Sequence, residues 1–399
     1  DPRMARAGTR ALSAALAGPA TGGRLLIEPE PASDKPSRAS GRSARRIVVQ
    51  LVGYGVGLAL LGWCGSRAFS PENRAQLSTL GEASASDVAL LCLLSVVSIV
   101  LNGLIFWTAV RPVRRVALGS VLSTNAIATA LNYVPFKLSM LSRILIHNRR
   151  DGVPLLTIGA WLATVILILV ATLGPIVAIS LRHPVIDRSW LAMVAGSMVV
   201  AAALIVLISR LCLTMPVRRV ALTLTGKTRL GRRFMTSSMA PNVLDGLRMM
   251  ASPRAVGMGV GLRLADVAAQ SARFVVAAGI LGISLRFDRA FLLAATYFGI
   301  GIVSPFGMLG TREAGVAGIA EALDIPNPAS IAAVVLLVSA TEALVTIILA
   351  TIGAVYLRPM RLMVREVARI AHDEHITEPA ADIPSPDASR ARTTQSDGR

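Results

Sequence analysis

The sequence predicts an all-α polytopic membrane protein with six spanning helices and two re-entrant broken hairpins arranged as an inverted repeat. Three observations lead to this fold class. The 399-residue chain is 53% hydrophobic and 16% charged, whereas soluble proteins carry about 25% charged residues. Its apolar residues gather in runs that are long enough to cross a bilayer. Its net charge of +18 is confined to short segments between those runs, which is typical of cytoplasmic loops.

Six runs of about 20 or more mainly apolar residues predict the spanning helices. They are residues 47–69, 87–110, 153–181, 190–213, 257–283 and 330–357. These runs define a transmembrane domain over residues 47–357, with halves 47–181 and 190–357 and a basic cytoplasmic loop at 214–256.

Basic residues flank the predicted domain and set its orientation, because cytoplasmic segments are enriched in Lys and Arg. Residues 1–46 are predicted to be a disordered basic cytoplasmic tail, and residues 358–399 a polar cytoplasmic tail. Both termini are therefore expected in the cytoplasm, and the chain is expected to be a multi-pass protein of the cell (inner or plasma) membrane.

Two further apolar runs are interrupted by proline. The run 116–146 breaks at Pro135-Phe136-Lys137, and the run 290–323 breaks at Ser304-Pro305-Phe306-Gly307. Basic residues at both ends of the first run place both ends on the cytoplasmic side, which predicts a re-entrant hairpin rather than a span. The second run then enters and leaves from outside. Ordinary proline-kinked spans are the alternative interpretation.

The spacing of the two breaks indicates an internal repeat. Pro135 and Pro305 are 170 residues apart, as are Asp87 and Gly257. Each half contains three crossings, so the second half is inverted relative to the first. Inverted repeats with broken helices are typical of secondary transporters. Irregular backbone at membrane depth is tolerated only beside protein or a water-filled cavity, and half-helix ends that meet there favour an anionic headgroup.

The residues at the two breaks resemble the flippase-like family, the membrane region shared with lysylphosphatidylglycerol synthases and related stand-alone membrane proteins. In the first half, Pro135, Lys137, Leu138 and Arg143 match the motif of that family, and Phe136, Ser139 and Met140 depart from it. In the second half, Gly307-Met308-Leu309-Gly310-Thr311-Arg312-Glu313-Ala314 matches except at Met308, and Asp324-Ile325-Pro326 is also similar. The resemblance covers about residues 46–357. It implies lipid translocation rather than lipid aminoacylation, because only a short polar tail follows Leu357.

Charged residues inside the apolar runs are the candidate site residues, because a charge at membrane depth is costly and often functional. Spacings of three and four place Arg263, Asp266, Gln270 and Arg273 on one stripe of a helix. Arg263 and Asp266 are expected to pair, which leaves Arg273 as a candidate phosphate ligand. Glu342 is a lone acid that can partner Arg273 or Arg312, and it is also a candidate proton carrier. A buried, satisfied polar network is the alternative for the four residues of the stripe.

The predicted substrate-binding set combines these charges with the two breaks. Lys137 and Arg143 are expected at the cytoplasmic hairpin, where they can gather anionic headgroups; marking of topology by positive charge is the alternative. Arg312 and Glu313 either bind a headgroup or lock the fold as an ion pair. The full set is Pro135, Lys137, Arg143, Arg273, Pro305, Gly307, Gly310, Arg312 and Glu313, with Arg263, Asp266 and Glu342 as structural or coupling residues.

The leading functional hypothesis is a lipid flippase that works by alternating access on an anionic or lipid-linked headgroup. The alternative is a small-solute or ion secondary transporter on the same architecture. A membrane enzyme ranks last, because the cytoplasmic hairpin offers only His147 as a catalytic group. No cofactor, metal or nucleic-acid partner is expected. Membrane lipids are the expected partners, together with a second copy of the chain or a separate lipid-modifying enzyme.

Overall fold

The computed structural model describes residues 39–71, 78–134, 138–180, 182–183, 186–214, 239–303, 308, 310–322 and 328–358. The chain divides into two units, residues 1–46 and residues 47–399. In the first unit, the described residues 39–46 form the start of a helix. Apart from this helix start, all the features below belong to the second unit.

The described residues form eleven α-helices and no strand. A single 3-10 turn, Thr79–Glu82, precedes the second helix. The helices are α1 Ala39–Ala68, α2 Ala85–Val110, α3 Leu118–Leu131, α4 Leu138–Arg149, α5 Leu155–Ser180, α6 Arg188–Leu213, α7 Met239–Met250, α8 Pro253–Ile280, α9 Phe287–Val303, α10 Thr311–Ala322 and α11 Pro328–Leu357.

Four of the helices in the described part of the chain are long and apolar enough to cross a membrane. They are α2, α5, α6 and residues Ser330–Leu357 of α11. The other two predicted spans are also helical, as α1 and α8, but they are not among these four. Helix α8 is less apolar because its length carries Arg263, Asp266 and Arg273.

Two helices, α1 and α8, begin well before their predicted starts. Helix α1 begins at Ala39, before the predicted start at residue 47. The prediction followed the apolar run, and a helix can extend beyond the apolar run that it contains. Helix α8 begins at Pro253 rather than at residue 257. Ser252 caps it by accepting a hydrogen bond from the Ala255 N–H, and proline is favoured in a first turn because its missing N–H is not needed there.

Each interrupted apolar run folds as two helices. The first run contains α3 and α4, which pack against each other, and the second contains α9 and α10, which also pack against each other. The predicted breaks themselves, at 135–137 and 304–307, lie outside the described residues. In each half, one helix of the pair precedes the predicted break and the other helix follows it.

Helix packing repeats between the two halves. Helix α2 packs against α3, α5 and α11, and its counterpart α8 packs against α9, α11 and α5. Helices α2 and α8 also pack along each other. They therefore form the junction between the two halves of the transmembrane domain.

Apolar clusters of buried side chains join helices within each half and between the two halves. In the first half, buried side chains of α2, α3 and α5 surround Trp161, whose indole N–H donates to the Phe106 carbonyl at 2.8 Å. In the second half, the core is built mainly from α8, α9, α10 and α11, and Phe274 meets Tyr297 edge to face. Helix α6, in contrast, leaves Val199 69% exposed, as expected for a side chain that faces lipid.

Candidate functional site

A cavity of about 70 Å³ lies between helices of the two halves. Helices α2, α3 and α4 of the first half and α8, α9, α10 and α11 of the second half contribute to its wall. A space of this size holds about five water molecules. Its lining residues are Ser98, Ile99, Asn102, Thr129, Asn132, Arg143, Gln270, Arg273, Tyr297, Phe298, Gly301, Met308, Arg312 and Glu342.

Glu342 of α11 joins two arginines at the cavity wall. Its Oε2 accepts a hydrogen bond from Arg273 Nη1 of α8 at 3.1 Å, and its Oε1 accepts one from Arg312 Nη1 of α10 at 2.9 Å. Arg273 also donates through Nη2 to the Val338 carbonyl at 3.0 Å. One carboxylate therefore connects three helices of the second half.

Aromatic rings and hydroxyls extend this network around Arg312. The Arg312 guanidinium lies over the Tyr297 ring, 4.3 Å from its centroid, and Nη2 donates to the Tyr133 hydroxyl at 3.2 Å. Glu313 Oε1 lies 3.7 Å from Arg312 Nε and accepts a hydrogen bond from Ser339 Oγ at 2.6 Å. Because Tyr133 follows α3, the network reaches from the second half into the first.

A second ion pair lies at the junction of α2 and α8. Arg263 Nη1 donates to Asp266 Oδ2 at 2.8 Å, and both side chains are buried. Ser98 of α2 donates to Asp266 Oδ1 at 2.5 Å, and Arg263 Nη2 donates to Asn102 Oδ1 at 3.3 Å. Polar side chains of α2 therefore form hydrogen bonds with both members of an ion pair whose two residues belong to α8.

Arg143 of α4 is held by neutral groups. Its Nη2 donates to Asn125 Oδ1 at 2.7 Å, and its guanidinium lies 4.0 Å from the centroid of the Phe106 ring. No carboxylate of the described residues lies within 4.0 Å of it, and its Nη1 is buried without a hydrogen-bond partner. Arg143 is 7% exposed, so the structure places it on the cavity wall rather than on the surface expected of a residue that only marks topology.

The buried charges at this site do not cancel. Four arginines and three carboxylates are buried in the described part of the chain. Arginine remains protonated in proteins, so the excess is one positive charge. That charge makes the site suitable for an anion. The buried charges are Arg143, Arg263, Arg273, Arg312, Asp266, Glu313 and Glu342.

The predicted substrate-binding residues fall into three groups. Arg143, Arg273 and Arg312 line the cavity, and Glu313 lies behind Arg312. Gly310 lies immediately before α10 with φ +79°. Pro135, Lys137, Pro305 and Gly307 lie outside the described residues. Of the residues predicted to be structural or coupling, Arg263 and Asp266 pair with each other, while Glu342 binds both Arg273 and Arg312.

Sequence reasoning missed the neutral side chains that orient these charges. Asn125, Tyr133 and Tyr297 are single polar residues in apolar runs, and a single polar residue does not predict a binding site. Ser98 and Asn102 are spaced by four on one face of α2, and that spacing was a usable signal of a helix face turned towards protein.

His147 forms a separate polar cluster at the end of α4. Its Nδ1 lies 2.7 Å from Asp151 Oδ2, and its ring lies 4.7 Å from the Trp161 ring, tilted by 46°. Ser120 Oγ donates to both Asp151 carboxylate oxygens at 3.0 Å, so the serine bonds to the acid and not to the imidazole. A nucleophilic serine needs the reverse arrangement, with its hydroxyl on the base, so this cluster resembles a structural network. No group of three potential metal ligands occurs within the described ranges.

Comparison with known proteins identifies a family for most of the chain. Residues 50–370 match the family described as "Lysylphosphatidylglycerol synthase TM region". No curated protein and no solved structure matches the chain. The match covers most of the chain and includes all four apolar helices, so the chain is a membrane protein that crosses the bilayer more than once.

Proposed function

The chain belongs to the lysylphosphatidylglycerol synthase transmembrane-region family, and from this premise we propose that it is a lipid flippase rather than an enzyme. The observation that carries the proposal is the cavity between the halves, around which the described residues include one more buried cation than buried carboxylates. An anionic headgroup balances that charge. The membrane provides such headgroups at high concentration in the anionic cytoplasmic leaflet.

In the proposed mechanism the headgroup occupies the cavity while the acyl chains remain in the bilayer. Arg143 comes from the first half, and Arg273 and Arg312 come from the second, so a bound headgroup contacts both. Rocking of the halves along the α2–α8 junction exposes the headgroup to each side in turn, as in alternating access. The packing that repeats between the halves supports this motion.

The proposed topology has six spans, with the α3–α4 and α9–α10 pairs as re-entrant hairpins that enter from opposite faces. It places both termini in the cytoplasm and the protein in the cell membrane. The short lengths of α3 and α4, 14 and 12 residues, support this topology, because a span needs about 20 residues. Helices α9 and α10 are also short, at 17 and 12 residues.

Reconstitution tests the proposal. The purified protein is placed in vesicles, and the movement of an acyl-chain-labelled anionic lipid between leaflets is followed by reduction of the label from outside. The wild type is expected to accelerate movement over empty vesicles. The Arg312→Ala/Glu313→Ala variant is expected to lose most of that acceleration, and the milder Arg312→Lys variant to lose part of it.

An exposed arginine provides the matched control. Arg254→Gln removes one positive charge at the exposed start of α8 and is expected to leave the rate unchanged. Equal rates for wild type, Arg312→Lys and the double variant would contradict a role of this network in lipid movement. A wild-type rate equal to that of empty vesicles would contradict the flippase itself.

A small-solute or ion secondary transporter is the second candidate. The observation that favours it is the size of the cavity, because about 70 Å³ suits a small anion as well as a headgroup. Uptake of a water-soluble anion into the same vesicles, without lipid movement, would identify this function. Cysteine accessibility distinguishes the two as well, because a lipid carrier opens sideways to the bilayer and a solute carrier opens to water.

A further inference from the structure

Arg143 differs from the other buried arginines in having no acidic partner among the described residues. Its partners are the amide oxygen of Asn125 and the ring of Phe106, and its Nη1 has none. The side chain lines the cavity and is 93% buried, since its exposure is 7%. The carboxylate of Asp151, the acidic residue that follows α4, is already bonded to His147 and Ser120 and does not line the cavity.

The remaining buried charges compensate one another. Arg263 is paired with Asp266. Arg273 and Arg312, with two positive charges, share Glu342 and Glu313, with two negative charges. The excess charge of the site therefore belongs to Arg143.

From this balance we infer that the cavity binds one phosphodiester group with a single negative charge, and that Arg143 is its ligand. The inference rests on the proposed function and specifies its substrate class. A phosphodiester has one anionic charge, which neutralises Arg143 without leaving a new excess. The planar fork of a guanidinium matches the oxygens of such a group.

The acidic residues in and behind the described wall also select against a positive charge on the headgroup. Both oxygens of Glu342 accept hydrogen bonds from arginines, and both oxygens of Asp266 are bonded to Arg263 and Ser98. Glu313 does not line the cavity. The described wall therefore has no free carboxylate that could bind an ammonium group of the headgroup. A lipid whose phosphodiester headgroup has a net charge of −1 is favoured over a lipid with a zwitterionic headgroup.

Binding to the full-length protein in nanodiscs of phosphatidylcholine tests the inference. The probe is acyl-chain-labelled phosphatidylmethanol, a phosphodiester whose alcohol adds no other polar group. Phosphatidylcholine provides the zwitterionic comparison, and phosphatidic acid, at a pH where it is doubly charged, provides the monoester. Dimethyl phosphate is the water-soluble probe, because it contains the same phosphodiester group without acyl chains.

Arg143→Gln is expected to weaken phosphatidylmethanol binding by about tenfold to a hundredfold, the loss typical of a hydrogen bond to a charged group. Arg143→Lys keeps the charge without the fork and is expected to recover part of the affinity, while Arg254→Gln binds like the wild type. Since Arg143 has no ion pair to lose, Arg143→Gln is also expected to unfold at the wild-type temperature or above it. A purely structural role predicts a lower unfolding temperature instead.

The outcomes separate this inference from the proposed function. Equal affinity of wild type and Arg143→Gln, or a wild-type preference for phosphatidic acid or phosphatidylcholine, overturns the inference even if lipid still moves between leaflets. If dimethyl phosphate binds through Arg143 and the wild type moves no lipid, the flippase proposal fails and the phosphodiester site stands with a soluble ligand.

Discussion

At the scale of single residues, Glu342 forms ion pairs with two buried arginines at once. Its two oxygens accept hydrogen bonds from Arg273 and Arg312, and the hydroxyl of Tyr297 lies 3.3 Å from Oε2. Removing one member of such a buried ion pair leaves the charge of the other member uncompensated. Glu342 therefore determines whether both cations can remain at the cavity wall.

Replacing this carboxylate is expected to destabilise the protein. Glu342→Gln leaves Arg273 and Arg312 without their shared anion, at a cost of about 3–5 kcal/mol. Thermal unfolding in nanodiscs measures the change, and Glu321→Gln, at an exposed position of α10, is the matched control. An unfolding temperature as high as that of the control would show that Glu342 does not hold the arginines in place.

The Arg263–Asp266 pair allows a double-mutant cycle. Each single change, Arg263→Leu or Asp266→Leu, leaves one buried charge unpaired and is expected to cost about 3–5 kcal/mol. The double variant removes both charges and is expected to cost less than either single variant. Unfolding free energies of the four proteins measure the coupling. Additive costs would mean that the two side chains do not interact.

At the scale of elements, the start of α10 depends on a glycine. Gly310 has φ +79°, a conformation that other residues rarely adopt. A Cβ added there would lie within 1.7 Å of the Gly57 carbonyl oxygen of α1. Helix α1 thus approaches the backbone just before Arg312, and the position of that arginine depends on the contact.

Gly310→Ala is therefore expected to displace α1 from α10 and to reduce lipid movement together with stability. The left-handed conformation alone costs roughly 1 kcal/mol for a residue with a side chain, and the steric overlap adds to it. Gly318→Ala is the control, because nothing lies within 4 Å of its added Cβ and alanine favours the helix by about 1 kcal/mol. Wild-type stability of Gly310→Ala would contradict the close approach of α1.

Helix α6 begins at an aspartate whose charge contributes to the cap. The Trp190 backbone N–H donates to Asp187 Oδ1 at 2.7 Å, and the Ser189 hydroxyl adds a second bond. These two bonds hold the pKa of the Asp187 carboxyl below its ordinary value of 3.8. A lowered pKa in the folded state means that the carboxylate stabilises the protein above pH 3.8, and that this stabilisation is lost as the pH falls through the lowered value.

Asp187→Asn keeps a capping oxygen but does not titrate. The wild type is expected to unfold at a higher temperature than this variant at pH 7, and the difference is expected to shrink as the pH falls towards 3. Paired unfolding curves over that range measure it. A difference that stays constant with pH would show that the charge of Asp187 contributes nothing to the cap.

At the scale of the whole molecule, the proposed topology predicts which sites share a side of the membrane. Single cysteines are introduced on both sides of the α3–α4 pair, at Arg111 and Arg149, and on both sides of the α9–α10 pair, at Arg286 and Glu321. The background protein has its three native cysteines replaced by alanine. An impermeant thiol reagent added outside intact cells is expected to label the second pair of sites and not the first. Labelling of one site within a pair and not of the other would make that helix pair a span.

The sequence predicted the apolar helices better than the site. Apolar length is enough to identify α2, α5, α6 and α11, because each has to match the thickness of a bilayer. Charges in apolar runs identified Arg273, Arg312 and Glu342, but Glu342 lies 69 residues from Arg273 and 30 from Arg312. No local rule selects between partners so far apart, and the structure shows that both bind.

The position of Arg143 was also beyond sequence reasoning. Basic residues near helix ends usually mark topology, and Arg149 and Arg150 follow soon after it in the chain. Its burial depends on Asn125, a neutral residue of α3, and on the Phe106 ring of α2. Such a three-helix environment becomes visible only when the helices are assembled.

The buried charges of α8 have a consequence for biosynthesis. A charged side chain at the centre of a helix costs about 2.5–3.5 kcal/mol during insertion by the translocon, and α8 carries three of them. The hydrogen-bond partner of Asp266, Ser98, lies on a helix that is synthesised before α8. The partner of Arg273, Glu342, is synthesised 69 residues after it. A nascent chain that stops before α11 is therefore expected to hold α8 poorly in the membrane and to be a target for quality-control proteases.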